Sequence, residues 1–390
     1  MDVPRNSQLA GAVPEMSFAA RRIAFRADAS LQIGSGHVMR CLTLADLLRS
    51  QGADCLFICR AHPGHLGDLI SARGHRIHLL EPPQPTEDTQ GQPTGTAHAA
   101  WLGTSLARDA AESRSALIMD FAEEGPCDWL VVDHYALDQN WETALRPLCR
   151  YLMVIDDLAD RPHDCDLLLD PGLGRKVEDY AEFVPRGNMT LVGPQYALLR
   201  PEFAAQRATS IERRDQPQLR RLLITMGGVD RDDATGTVLD ALANSDLPAD
   251  LEITVVMGPK APWLERIRTR AAIMPRPTRV LAGVTDMARL MTESDLAIGA
   301  AGSTAWERCC LGLPTIQIVL AENQSAIGRA LELASAALSV DLGLVSQTLP
   351  ALLGNNAEIE GLMMQSAFAF DITDGLGAER IASYMRRKSV

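Results

Sequence analysis

The sequence has no run approaching ~18 consecutive apolar residues, so nothing in it reads as a membrane-spanning helix. Residues 1–20 are polar, carry prolines and lack the apolar core that a signal peptide needs. They are expected to form a disordered N-terminal extension on a cytoplasmic protein. A Cys-x-x-Cys pair is missing too. The eight cysteines are scattered, and Cys55, Cys59, Cys309 and Cys310 lie in or beside apolar runs, where reduced thiols act as small hydrophobes. The Cys55/Cys59 and His62/His65 group matches no closed tetrahedral zinc set, so no metal is expected. Basic charge is in deficit: 37 Lys and Arg against 50 Asp and Glu leave a net charge of −13. That balance argues against a general nucleic-acid or anionic-membrane surface. It does not exclude an anionic substrate, because one local site can oppose the mean field.

What is present is length and an apolar fraction of 46% over 390 residues. Single cores stop growing at roughly 250–300 residues, so two domains are expected. From Arg22 onward, short apolar runs alternate with longer helical patterns such as Val38–Leu48. The runs Ile23–Ala27, Cys55–Cys59, Ile77–Leu80, Trp129–Asp133, Leu152–Ile155 and Leu167–Leu169 predict strands. The stretch 81–97, rich in Pro, Gln, Thr and Gly, reads as an insertion loop. The rhythm restarts with Leu222–Thr225, Ile253–Met257, Arg279–Leu281, Leu296–Ile298 and Thr315–Leu320, after a polar connection over Arg207–Arg220. Continuous apolar strands between helices predict α/β architecture: two Rossmann-like, doubly wound domains with a cleft between them. The boundaries read as 21–206 and 207–390, and a last helix near Ala378–Arg387 has no assigned side.

Ligands bind at the carboxyl ends of strands in such sheets. The first of these positions carries Gly34-Ser35-Gly36-His37 at the start of a helix. Its glycines let backbone approach a ligand, but Arg40 and Cys41 fill the places where a dinucleotide fingerprint would continue. His37 stands where the helix N-terminus disfavours added positive charge, so a neutral imidazole there can take a proton from water. It can equally be a capping or packing histidine. In the second half, Gly302-Ser303-Thr304 opens a helix with Glu307 one turn on. That arrangement suits a diphosphate and a ribose diol, or else a tight turn with Ser303 as N-cap and a solvated Glu307. Met226-Gly227-Gly228-Val229-Asp230 and Glu322-Asn323-Gln324 also follow strands. Asp133-His134-Tyr135 and Asp156-Asp157 end two strands of the first half, and all five are expected to project into one cleft. Trp306 reads as core.

Together these motifs resemble the UDP-2,4-diacetamido-2,4,6-trideoxy-β-L-altropyranose hydrolases of pseudaminic acid biosynthesis, which are related to the glycosyltransferase that makes lipid II. The matching segments run from Arg26-Ala27-Asp28 through Gln32–Cys41, Val132–Tyr135, Ile155–Asp157, Tyr196–Arg200, Met226–Gly228 and Gly302–Glu307 to Glu322-Asn323-Gln324. The resemblance implies a glycosyltransferase-B-type fold with sugar in the N-terminal half and UDP in the C-terminal half. It implies hydrolysis that needs no metal or cofactor, with His37 activating water and Tyr135 and Asn323 beside the reacting sugar. Gly34, Gly36, Arg40, Gly227, Gly228, Gly302, Ser303, Thr304, Glu307 and Gln324 would hold the substrate. The rivals are a glycosyltransferase of the same fold and a UDP-sugar-binding module without catalysis. One departure stands out. Pro171-Gly172 occupies the place, just after a strand, where the resemblance leads one to expect an amide pair.

Overall fold

The computed structural model describes residues 18, 21–83, 98–121, 125–320 and 322–388, with the side chains of Glu322 and Asn323 left out. Most of the extension at 1–20 and of the insertion at 81–97 lies outside the described residues. Phe18 is the exception. It is 1% exposed within the first unit's core, so the extension reading does not hold for it.

The first unit is built from β1 (Arg22–Ala27), α1 (Gly36–Ser50), β2 (Asp54–Arg60), α2 (Gly67–Ala72), β3 (Arg76–Leu80), α3 (Leu106–Phe121), β4 (Cys127–Asp133), α4 (Gln139–Leu145), β5 (Cys149–Ile155), β6 (Leu167–Asp170) and β7 (Met189–Val192). Its strands form one parallel sheet in the order β3-β2-β1-β4-β5-β6-β7. Every residue of β4 is buried, as expected for a central strand covered by helices on both faces. In α1, Val38, Cys41, Leu42, Ala45 and Leu48 recur at helical spacing and enter the core.

The second unit follows α5 (Pro201–Arg214) with β8 (Arg221–Thr225), α6 (Ala234–Ala243), β9 (Glu252–Met257), α7 (Leu264–Ala271), β10 (Thr278–Ala282), α8 (Met287–Glu293), β11 (Leu296–Ala300), α9 (Thr304–Cys310), β12 (Thr315–Val319), α10 (Glu322–Leu333) and β13 (Leu338–Asp341). The helices α11 (Val345–Leu353), α12 (Asn356–Phe370) and α13 (Gly377–Lys388) complete the chain. This sheet is also parallel, in the order β10-β9-β8-β11-β12-β13. Each sheet reverses its winding between a pair of neighbouring strands, β1/β4 in one and β8/β11 in the other. A crevice opens at that switch point.

Three expectations change. The stretch Arg207–Arg220 is helical as far as Arg214. It reads as a polar connection because its arginines serve as anchors. Arg207 donates to the carbonyls of Cys310, Thr373 and Phe370 and stacks on the Phe370 ring. The short edge strands β7 and β13 are additional, and each is largely half-buried, so neither shows as a continuous apolar run. The final helix, placed with the second unit by a boundary at 207, returns to the first. Ala378, Ile381, Ala382 and Met385 sit in the core that contains α1. Its first residue must be glycine, because a Cβ on Gly377 would lie 2.2 Å from the carbonyl oxygen of Ala197.

Candidate active site

The loop after β1 folds back on itself. Ser30 and Gly34 exchange backbone hydrogen bonds, Ser30 Oγ accepts from the amides of Gln32 and Ile33, and Gly34 turns with a φ of 81°. This closed turn delivers Ser35, Gly36 and His37 to the first turn of α1. The Ser35 side chain makes no capping hydrogen bond, so it leaves orphan N–H groups of that turn unsatisfied.

His37 is buried, and its Nδ1 lies 2.6 Å from Asp133 Oδ1 at the end of β4. Arg40, one turn along α1, grips the same carboxylate twice, Nε at 2.6 Å and Nη2 at 2.7 Å, and reaches Asp157 Oδ2 with Nη1 at 3.1 Å. Burial alone would raise the Asp133 carboxyl, but Arg40 and His37 outweigh it and hold the group well below the usual carboxylate range. Asp133 is therefore an anion that accepts a hydrogen bond from Nδ1–H of the His37 ring, which leaves Nε2 as the acceptor of the neutral imidazole. The Tyr135 ring meets His37 edge-on at 4.7 Å, and His98 and Trp101 pack behind it. Burial, and then the charge of Asp157, push the Tyr135 phenol well above its ordinary value, so it remains a donor.

Of these groups His37, Arg40, Tyr135 and Asp157 line one wall of a cleft of about 320 Å³ between the two units. The opposite wall consists of Met226, Gly227, Gly228, Val229 and Asp230 after β8, then Ala300, Gly302, Ser303 and Thr304 after β11, with Gln324 from α10. The two walls nearly meet. A Cβ on Gly36 would be 3.6 Å from Ser303 Oγ, and one on Gly228 would be 3.4 Å from Ser35 Oγ. The Ser303 side chain does not cap α9, which leaves its hydroxyl available to a ligand. No Lys or Arg of the second unit lines the described cleft.

Of the expected site residues, His37, Tyr135, Gly34, Gly36, Arg40, Gly227, Gly228, Gly302, Ser303, Thr304 and Gln324 line this cleft. Asn323 belongs to α10, but its side chain lies outside the described residues. Glu307 is not on the cleft wall. It lies within α9, 3.8 Å from Arg200 Nη2, where burial, opposed by Arg200, pushes its carboxyl up to about 7. The expectation that all five residues of Asp133–Tyr135 and Asp156–Asp157 share the cleft is half right, because successive residues leaving a strand alternate sides. His134 turns away, its Nδ1 accepting from the amide of Ala136 and its Nε2 lying 3.3 Å from Asp28. Asp156 pairs with Arg161 at 2.8 Å and accepts from Tyr180. Tyr135 and Asp157 face the cleft. Trp306 is buried as expected and also contributes to the cleft wall. The sequence reading omitted Leu173 and Arg175, which line the cleft beyond Pro171-Gly172. Their only signal is that they follow the carboxyl end of β6.

No family model matches the chain. A Methanocaldococcus jannaschii protein described as uncharacterised is 23% identical over 308 residues, covering 78% of this chain and 56% of that protein. The chain thus spans little more than half the length of that relative. The UDP-2,4-diacetamido-2,4,6-trideoxy-β-L-altropyranose hydrolase of Campylobacter jejuni is 26% identical over 305 residues, covering 78% of this chain and 94% of the hydrolase. Among solved structures, MurG of Acinetobacter baumannii superposes with a TM-score of 0.65 at 16% identity over 94% of this chain and 99% of MurG. The chain is therefore a two-domain α/β protein with the glycosyltransferase-B type of fold, homologous to the Campylobacter UDP-diacetamido-sugar hydrolase.

Proposed function

We propose that the protein hydrolyses a UDP-linked, acetamido-substituted sugar at its anomeric carbon, releasing UDP and the free sugar for nonulosonic acid biosynthesis in the cytoplasm. The observation that carries this reading is the 2.6 Å contact between Nδ1 of His37, which lines the cleft, and the buried Asp133 carboxyl, held well below the usual carboxylate range by Arg40 and His37. His37 Nε2 takes a proton from water while the water oxygen bonds to the anomeric carbon. The bond from that carbon to the diphosphate oxygen breaks, and its electron pair leaves with UDP. Attack from the face opposite the leaving group inverts the centre, and no metal is assigned to the step. The diphosphate is a weakly basic leaving group, so the backbone N–H groups of Gly227, Gly228 and Gly302–Thr304 and the Ser303 hydroxyl suffice to stabilise it. Gln324 and Asn323 take the sugar–phosphate junction, and Tyr135 and Arg40 the sugar side, while Glu307, which does not line the cleft, is given no contact with the nucleotide. The uridine nucleotide and the acetamido sugar enter from the name of the Campylobacter relative.

The glycosyltransferase-type fold favours one second reading. The same histidine would then deprotonate an acceptor hydroxyl instead of water. The test is to incubate the purified protein with UDP-2,4-diacetamido-2,4,6-trideoxy-β-L-altropyranose, UDP-N-acetylglucosamine and UDP-glucose and to quantify UDP and free sugar. Equimolar UDP and free sugar, lost in His37→Asn, supports hydrolysis. UDP release only after an acceptor alcohol is added supports transfer. Tight binding without turnover leaves a binding module.

A further inference from the structure

Three of the described arginines are fully buried: Arg26, Arg60 and Arg308. The first two are matched by carboxylates, Arg26 by Asp28 and Asp109 at 2.6 and 2.7 Å, and Arg60 by Asp109 and Glu112 at 2.7 and 2.8 Å. Arg308 has no carboxylate partner among the described residues. Glu307 precedes it in α9, but adjacent residues of a helix do not face each other, and Glu307 lies toward Arg200 instead. Burial brings the Arg308 guanidinium down to about 10, which leaves it charged at neutral pH. An unpaired buried charge costs stability, so the use of Arg308 lies in what it holds. It holds the second wall. Its Nη2 donates to the carbonyl of Ala300 at 2.8 Å and its Nη1 to Thr304 Oγ1 at 3.3 Å, and both of those residues line the cleft. Gly299 leaves room for it, because a Cβ there would lie 2.6 Å from Nη1 and 3.0 Å from the Thr225 carbonyl oxygen. A helical threonine can turn its hydroxyl back to the carbonyl four residues earlier, which here belongs to Ala300. Arg308 occupies that carbonyl and also takes a lone pair of Thr304 Oγ1. The Thr304 hydroxyl hydrogen is thereby left without an acceptor among the described residues, on a side chain at the cleft wall.

We propose that Arg308 is a positioning residue for the leaving diphosphate: from beneath the second wall it aims the Thr304 hydroxyl at a phosphate oxygen and sets its own unpaired positive charge behind that contact. This rests on the UDP-sugar reading above and adds a cation that the second wall does not show at its surface. The planar guanidinium fixes Ala300 and Thr304 relative to each other, so the hydroxyl is in place before the phosphate arrives. An anion in the cleft supplies the negative charge that Arg308 lacks, and salt screens a buried charge much less than an exposed one. The uridine end of the ligand gains from neither effect, which separates this role from general support of the fold.

The experiment measures Kd by calorimetry for uridine, UDP and inorganic pyrophosphate in the wild type, Arg308→Met, Arg308→Lys and Thr304→Val. A hydrogen bond to a charged group predicts that Arg308→Met weakens UDP and pyrophosphate about tenfold or more and leaves uridine within about twofold. Arg308→Lys keeps the charge without the planar fork and should restore part of the loss. Thr304→Val should cost UDP about tenfold as well, and the double variant Arg308→Met/Thr304→Val should lose less than the product of the two single losses, because both act on one contact. If Arg308→Met does not fold, Arg308→Lys and Thr304→Val carry the same comparison. Uridine and UDP weakened alike, or UDP affinity unchanged in Arg308→Met or in Thr304→Val, overturns the proposal, as does a wild type that binds neither UDP nor pyrophosphate. An Arg308-dependent affinity for UDP in a protein that releases no free sugar would sink the hydrolase reading and uphold this one. Hydrolysis with an UDP affinity indifferent to Arg308 would do the reverse.

Discussion

The two walls of the cleft come from sheets of the same parallel design, yet they are furnished in opposite ways. The first wall carries side-chain chemistry: a histidine, two guanidiniums, a phenol and a carboxylate, with His37, Arg40 and Asp157 tied to one another or to the buried Asp133 at 2.6–3.1 Å. The second carries glycines, alanine, serine and threonine that expose backbone, with no described Lys or Arg facing the space between. Equivalent places in two doubly wound sheets have thus been given different work. On the proposed reading, one wall moves a proton and the other receives a diphosphate through N–H groups. On this account, first-wall changes should cost turnover and second-wall changes should cost nucleotide affinity.

The largest effect that would test this division is His37→Ala. It should lower turnover by ~10²–10⁴-fold, the usual worth of general-base help, and leave UDP affinity within about twofold. Loss of UDP binding at normal turnover would merge the two walls. Next comes Asp133→Asn, which keeps the shape but deprives the His37 Nδ1 proton and Arg40 of a full anion. A fall of about 10²-fold in kcat is expected, together with a lower melting temperature, because Arg40 is left as an incompletely paired cation. Differential scanning calorimetry beside steady-state kinetics separates the two effects. On the second side, Ser303→Ala should weaken UDP binding about tenfold in calorimetry and lower kcat far less than His37→Ala does.

The smallest effect lies behind the first wall. Asp170 accepts from the Gly172 amide and from Tyr180, but burial and Asp157 raise it to about 7, far above an unfolded aspartate. Between these two values the folded chain holds a proton that the unfolded chain has lost, so this group makes stability fall as pH rises from about 4 to about 7. Asp170→Asn removes that slope. Its melting temperature relative to wild type should climb by a few °C between pH 5 and pH 7.5 and then level off. A difference independent of pH would contradict the assignment.

Much of this division is legible before folding. Gly34–His37 and Gly302–Thr304 each stand between an apolar run and a helix, and a parallel sheet brings such points to one edge. Less legible is which side of that edge a residue takes. Asp133, His134 and Tyr135 are adjacent in sequence, yet Asp133 orients His37, His134 turns toward Asp28, and Tyr135 faces the cleft. A one-residue change in where β4 ends would reassign all three. Arg175 was hidden for a different reason. It lies in a turn shaped by Gly174, with a φ of 84°, and no periodicity marks a residue that reaches the site from a loop. The return of α13 to the first unit was equally hidden. An amphipathic helix declares that one face will be buried, but not against which sheet.

The division of labour makes its most direct commitment about the bond that breaks. If His37 activates water against the anomeric carbon while the second wall only holds the leaving diphosphate, turnover of a UDP-diacetamido sugar in ¹⁸O-water must place the label in the free sugar. Mass spectrometry of both products reads this out. Label in the sugar and none in UDP is the predicted result, and label in the phosphate of UDP would contradict it.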